Sequence, residues 1–191
     1  MYFVANDPRV PEGIRKEMST WGLPKDEFVD NDHWSHQLYI REARRMIGKH
    51  VVTEHDCLSK TKVEESIGLG VYTMDSHQTQ RYVTADGFVQ NEGDVGYHIK
   101  KPYPIAYGAI VPKAVEARNL LVPMALSASH ISFGSIRMEP TFMILGQSAG
   151  TAACIAVDRK VDVQDVDYEK DLKPRLLADQ QRLIAKPKKK K

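Results

Sequence analysis

The sequence predicts an α/β protein, and three stretches carry that prediction. Leu120-Leu121-Val122 is a short apolar run with the pattern of a buried strand. From Thr141 to Val157 the chain is apolar or small almost throughout, and Pro140 just ahead suits the first turn of a helix. Between residues 63 and 100, β-prone runs alternate with turn residues, and Asp86-Gly87 before Phe88-Val89-Gln90 reads as a hairpin turn. The predicted architecture is an antiparallel-sheet region, then a last strand and a long buried helix.

Taken in order, residues 2–32 are rich in breakers: Asp7-Pro8, Pro11, Gly13, Gly22 and Pro24. A short helix over Pro11–Met18 is all they promise. Gln37–Met46 reads as a strand or a strand-to-helix edge with Arg41, Glu42, Arg44 and Arg45. His33, His36, His50, His55 and Cys57 form no matched set at zinc-site spacing, so no metal is expected. Thr53 or Asp56 can cap a helix start at Thr53-Glu54-His55-Asp56. Residues 63–72 suggest a strand. Pro102 and Pro104 make Lys101–Tyr107 an extended connector, because each proline biases its predecessor toward β geometry. After Asp158, an amphipathic helix is expected from Asp165, with Tyr168, Leu172, Leu176, Leu177 and Leu183 as its apolar face and Pro174 weakening its middle.

Composition narrows the class. The chain has 191 residues, 42% hydrophobic and 27% charged, enough for a packed core in a globular protein. Its net charge of +2 rests largely on the tail Lys186–Lys191, read as a solvated end. No basic face with interleaved aromatics appears, so nucleic acid is not an expected partner. The apolar run from Thr141 is at the short limit for a membrane span and is interrupted by Gln147 and Ser148, so it is read as a core helix, not a membrane span. Residues 1–7 carry neither the basic start nor the apolar centre of a signal peptide, which leaves localisation open, with the cytoplasm as default. Cys154 falls inside the helix pattern and reads as a small buried hydrophobe.

The segment 119–158 is the most informative. Gly146, Ala149, Gly150 and Ala153 recur at helical spacing and make a smooth stripe that admits a close neighbour, either tight packing or a flat ligand. A helix N-terminus after a loop of small residues offers free N–H groups and a positive dipole end to electron-rich atoms.

The pattern NLLVP…SASH…FGSIRMEP…ILGQSAGTAA resembles the C-terminal flavin-contacting segment of an FAD-dependent oxidoreductase family often labelled xanthan lyase-like. NDPRVP (6–11), QLYIREARRMIG (37–48), TEHDC (53–57), YTMDSH (72–77) and VQNEGD (89–94) match it too, so the resemblance runs to about Ile184. It implies an antiparallel substrate region followed by the last strand and helix of a Rossmann-like FAD domain. The implied division is a substrate or cap region over 1–112, the end of the FAD domain over 113–160, a C-terminal helix over 161–185 and a basic tail over 186–191. Family members also carry a G-x-G-x-x-G fingerprint that holds the dinucleotide pyrophosphate. Here the only close pair is Gly68-Leu69-Gly70, so the N-terminal half of the cofactor site is absent from the pattern.

The resemblance implies FAD as cofactor and hydride transfer from a hydroxylated, sugar-like substrate. It places backbone N–H groups of Ser135, Ile136, Arg137 and Met138, with Ser129 and Gly134 beside them, at the flavin N1/O2 edge. Arg137 would add a positive charge there, unless it pairs with Glu139. His77 and His130 become the candidate proton acceptors, and Arg41 a guanidinium for an anionic or hydroxylated substrate. Each has a plain structural alternative: His77 bonded to a carbonyl, Arg41 in an ion pair. Polysaccharide lyase activity and a non-catalytic portion are the alternatives for the whole. A separate FAD-binding half or self-association is the expected macromolecular partner.

Overall fold

The structure, a computed structural model, describes residues 2–36 and 44–185. It divides into two compact units, residues 1–41 and 42–191.

The first unit holds helix α1 (Tyr2–Asn6), helix α2 (Glu12–Met18) and a 3-10 turn at Val29–Asn31. Helix α2 lies where the breakers left room for it. None of the described residues in this unit is buried, and Trp21 and Trp34 are largely exposed. His33 Nδ1 lies 3.1 Å from the Glu27 carbonyl, and His36 Nε2 lies 3.2 Å from Asp30. Both rings therefore serve their own loop. Arg41 and most of the predicted Gln37–Met46 strand lie outside the described residues.

The second unit opens with helix α3 (Glu54–Cys57) and then the strands β1 (Ser66–Gly70), β2 (Met74–Ser76), β3 (Gln80–Val83), β4 (Val89–Glu92), β5 (Val95–Tyr97) and β6 (Tyr103–Ala106). Three antiparallel pairs result: β1 with β6, β2 with β5, and β3 with β4. The β3–β4 hairpin is the one Asp86-Gly87 predicts, and Gly87 takes φ +84°, a region that disfavours side chains. The Lys101–Tyr107 connector is extended as read, and its centre is strand β6, with Pro104 opposite Leu69. Helix α3 starts on the predicted cap. Thr53 N–H donates to Asp56 Oδ2 at 2.7 Å, the reciprocal half of a capping box.

Helix α4 (His130–Ile136) and helix α5 (Glu139–Arg159) follow, with Pro140 in the first turn of α5. Leu120–Val122, predicted as the last strand, runs without strand pairing. The Val122 N–H donates to Ile110 O at 2.9 Å, and the parallel bridge in this region is instead Val52 with Ala128. Nor is the triplet buried as predicted: Leu120 is exposed and Leu121 and Val122 are half-buried, so an apolar run alone fixes neither burial nor pairing.

Helix α5 is half-buried rather than buried. Leu145, Ser148, Ala149, Ala152 and Ala156 face the core, while Met143, Gly150, Ala153, Cys154 and Val157 are exposed. Of the predicted small-residue stripe only Ala149 is buried, and a Cβ added at Gly146 or Gly150 would meet nothing within 4 Å. By length and composition alone the helix could cross a membrane, but its inner face belongs to the protein core. The close glycine pair has a packing role. A Cβ at Gly68 would strike Ile144 of α5, and one at Gly70 would strike the Tyr103 ring.

One core joins β1, β6, α4 and α5 to the C-terminal turns. There the single expected helix is a π-helical turn at Tyr168–Leu172 followed by helix α6 (Lys173–Ala178). Pro174 sits in the first turn of α6, so it starts that helix. Tyr168, Leu172, Leu176 and Leu183 are buried as predicted, whereas Leu177 is exposed. Buried tyrosines tie the layers together: Tyr107 donates to Val163 O at 2.7 Å and Tyr168 to Ser66 O at 2.6 Å. Burial, with Glu169 and Glu65 nearby, pushes the Tyr168 hydroxyl up to about 12, so it stays a donor.

Cys57 is buried and Cys154 is exposed, which reverses the reading of Cys154. A native-state thiol assay should therefore titrate one cysteine, Cys154, and a denaturant should release the second. Burial opposes the charge on Asp56, yet the Thr61 hydroxyl, the Thr53 N–H and His50 outweigh it and hold the carboxyl below its usual value. A carboxylate depressed in the folded state adds stability in full above its unfolded pKa of about 3.9 and loses it as pH falls through the folded value. Acid unfolding followed by circular dichroism should show Asp56→Asn less stable at neutral pH. Its stability should also fall less steeply than that of wild type below about pH 4.

Candidate functional site

The site begins with an absence of side chain. A Cβ at Gly134 would lie 2.2 Å from the Asp75 carbonyl oxygen, closer than any real contact. Glycine alone lets the backbone of α4 rest on the backbone of β2. That contact sets the reach of everything else.

Helix α4 is capped by Ser129, whose Oγ accepts from Ser132 N–H at 3.4 Å and sits 2.8 Å from Ser132 Oγ. His130, the first residue of the helix, meets β2 at one end: its Nε2 lies 2.8 Å from Ser76 Oγ. Arg137, the C-cap, meets the same strand at the other end. Its Nη2 donates to Asp75 Oδ2 at 2.9 Å and to the Asp75 carbonyl at 3.3 Å. Arg137 is 7% exposed, so this is a nearly buried guanidinium on a partly exposed carboxylate, not a surface pair with Glu139.

Side chains alternate along a strand, so Asp75 and the residue two further on share a side. His77 Nε2 accordingly lies 3.3 Å from the same Oδ2 atom of Asp75. One carboxylate thus serves Arg137 and His77 together. Nε2 is thus turned toward Asp75, and Nδ1 is the other ring nitrogen, on a ring that is about half exposed. Ser135, in the same helix, accepts from the Tyr103 hydroxyl at 2.8 Å and donates to the Tyr72 carbonyl. Burial, first of all, drives the Tyr103 hydroxyl far above its ordinary value, so it remains a donor.

His77 and His130 are thus tied to neighbouring residues of one strand. Sequence reasoning named both, but named neither Asp75 as the shared carboxylate nor Ser76 as the partner of His130. Arg45, from the charged segment named in the sequence, donates its Nε–H to Ala128 O at 3.1 Å and lies with its guanidinium 5.2 Å from the centre of the Phe133 ring. The spacing Asp75-Ser76-His77 was the available signal, since residues two apart share a strand face. Arg41 lies outside the described residues.

The N–H groups predicted for the flavin edge are engaged elsewhere. Arg137 N–H donates to Phe133 O at 2.9 Å and Met138 N–H to Ile136 O at 2.7 Å. Ser135 and Ile136 lie in the last turn of α4, where helical bonding takes their N–H groups. The donors at this point in the chain are those of the first turn of α5, at Glu139 and Thr141, which no preceding turn can satisfy.

A sequence model of the FAD dependent oxidoreductase family matches residues 3–176. The chain belongs to that family. Comparison with curated proteins and with solved structures returns no match. Family membership implies FAD, and the residues present fit one end of it. The α5 N-terminus, with its dipole and unfilled donors, suits the electron-rich edge of a flavin. The close glycine pair does not offer the pyrophosphate a cradle, because Gly68 and Gly70 are committed to packing under Ile144 and Tyr103.

Gly134→Ala should displace α4 from β2 and cost about 1–3 kcal/mol or more, the range of an overpacked site. Gly150→Ala, on the open face of α5, should instead gain up to about 1 kcal/mol from helix propensity. Urea midpoints of the two variants check the pair.

Proposed function

We propose that this chain supplies the substrate side, and the flavin-edge contact, of an FAD-dependent oxidation of a hydroxylated, carbohydrate-like substrate. The observation that carries the reading is the Asp75 carboxylate shared between His77 and Arg137, the latter lying two residues ahead of α5, in a chain of the FAD dependent oxidoreductase family. The carbohydrate class is supported by the resemblance of residues 119–157 to the xanthan lyase-like members.

When bound, FAD supplies the hydride acceptor. The chain's own residues manage the proton. His77 takes the hydroxyl proton at Nδ1, and Asp75 stabilises the imidazolium that forms. Arg137 fixes the carboxylate through two contacts, so the imidazole keeps one orientation. Ser76 and His130 form a second hydroxyl–imidazole pair that orients a neighbouring substrate hydroxyl. The first-turn donors of α5 and its helix dipole stabilise negative charge developing at an aromatic edge.

His77→Asn should lower turnover of an alcohol substrate by about 10²–10⁴-fold, the usual worth of a positioned general base, and leave flavin content unchanged. The flavin absorbance band after desalting reports cofactor, and stopped-flow flavin bleaching reports turnover. An unchanged rate in a flavin-loaded variant removes His77 from the reaction. A folded chain that never retains flavin counts against the contact at α5.

A further inference from the structure

A second place in the fold gathers positive charge without any negative partner. A cavity of about 370 Å³ is lined by Cys57, Leu58, Ser59, Lys60, Tyr97, His98, Lys100 and Lys101. Three lysines and a histidine are among the residues that line it, and no acidic residue is.

Both walls are built rather than loose. On one side the chain leaves α3 through Ser59, at φ +54°, with Lys60 N–H donating to His55 O at 2.8 Å and Ser59 N–H to Asp56 O at 2.9 Å. That six-to-one bond with a left-handed residue is a closed helix terminus, and it fixes where Lys60 starts. On the other side β5 ends at Tyr97, and Ile99, only 3% exposed, is sunk in the core. Anchoring Ile99 leaves its neighbours His98 and Lys100 outside, toward the cavity. The β2–β5 pairing then holds Tyr97 opposite Met74, on the strand next to Asp75 and Ser76.

The carboxylate next to Cys57 in the chain, Asp56, is already engaged. Asp56 is occupied by the Thr53 N–H at 2.7 Å, by the Thr61 hydroxyl and by His50 at 3.5 Å. Among the described residues, none of the three lysines takes part in an ion pair. At the floor, burial pushes the Cys57 thiol up, so no thiolate repels an incoming anion at neutral pH. Lysines that line one cavity repel each other through their like charges, and an oxyanion relieves that repulsion while accepting their hydrogen bonds.

We propose that this cavity is an oxyanion-binding site, taking a phosphate, sulfate or carboxylate group of a small ligand. Tyr97, 49% exposed, supplies a face against which the carbon part of such a ligand can lie. The volume lies at the low end of small-molecule sites and suits one charged group with a short attachment. The site does not depend on flavin.

The test is direct binding to the purified chain at low ionic strength. Inorganic phosphate, sulfate and acetate are titrated separately, with sodium chloride at matched ionic strength as control. Amide signals of Leu58–Lys60 and His98–Lys101 are followed by NMR. Saturable shifts confined to these residues are expected with at least one of the oxyanions, and which one saturates identifies the group. The Lys60→Gln, Lys100→Gln, Lys101→Gln triple variant should weaken that binding by at least about ten-fold, while the corresponding Arg variant should hold it within about three-fold. All three positions are solvent-exposed, so the spectra of both variants should remain those of the folded chain. Shifts that match the chloride control, or equal affinity in the Gln triple variant, would overturn the proposal.

Discussion

Gly134 resting on the backbone at Asp75 is the contact on which the candidate site depends. Helix α4 is only seven residues long, yet at about 1.5 Å per residue its two ends are roughly 10 Å apart. Lying against β2 without an intervening Cβ, it reaches the strand from both ends. His130 meets Ser76 at the start, and Arg137 meets Asp75 at the finish. A bulkier residue at position 134 would separate both pairs at once.

That geometry also answers an electrostatic problem. A guanidinium that is nearly buried must be paired, since an isolated buried charge is costly. Arg137 is paired with a carboxylate that is still partly open to solvent, and the half-exposed His77 ring approaches the same Oδ2 atom. The ion pair therefore has two roles. It satisfies Arg137 inside the protein, and it presents an oriented imidazole outside. Around it, hydroxyl groups of Tyr103, Tyr107 and Tyr168 bridge elements far apart in sequence, so the layers that carry β2 and α4 are pinned through hydrogen bonds as well as apolar contact.

Helix α5 links fold and family. Its inner face carries the core, and its outer face leaves Met143, Gly150, Cys154 and Val157 exposed. The small-residue stripe was legible in the sequence, but its direction was not. Periodicity shows which residues share a face and not what lies against that face. The same limit applies to Cys154, assigned to the core by the apolar run around it and found outside. Leu120–Val122 illustrates a related limit. Leu120 is exposed and its two neighbours half-buried, because both burial and strand pairing depend on a partner that local sequence does not name.

The elements whose causes are local could be read from the sequence alone. The Asp86-Gly87 hairpin needs a positive φ that glycine provides. Thr53 and Asp56 cap α3 within a single turn, and Pro140 starts α5 because it lacks an N–H that the first turn would leave unbonded anyway. The long pattern in residues 119–157 also pointed to the flavoprotein family that the match over 3–176 bears out. Tertiary structure alone decided the long-range pairings. Asp75 and Arg137 are 62 positions apart, and Ser76 and His130 are 54. Tertiary structure also set the orientation of α5, and it turned the glycine pair at 68 and 70 into packing space. The physical reason is range. Caps and turns are settled by bonds a few residues long, whereas charge pairing, burial of a helix face and the open donors of a helix start depend on which surfaces the folded chain presses together.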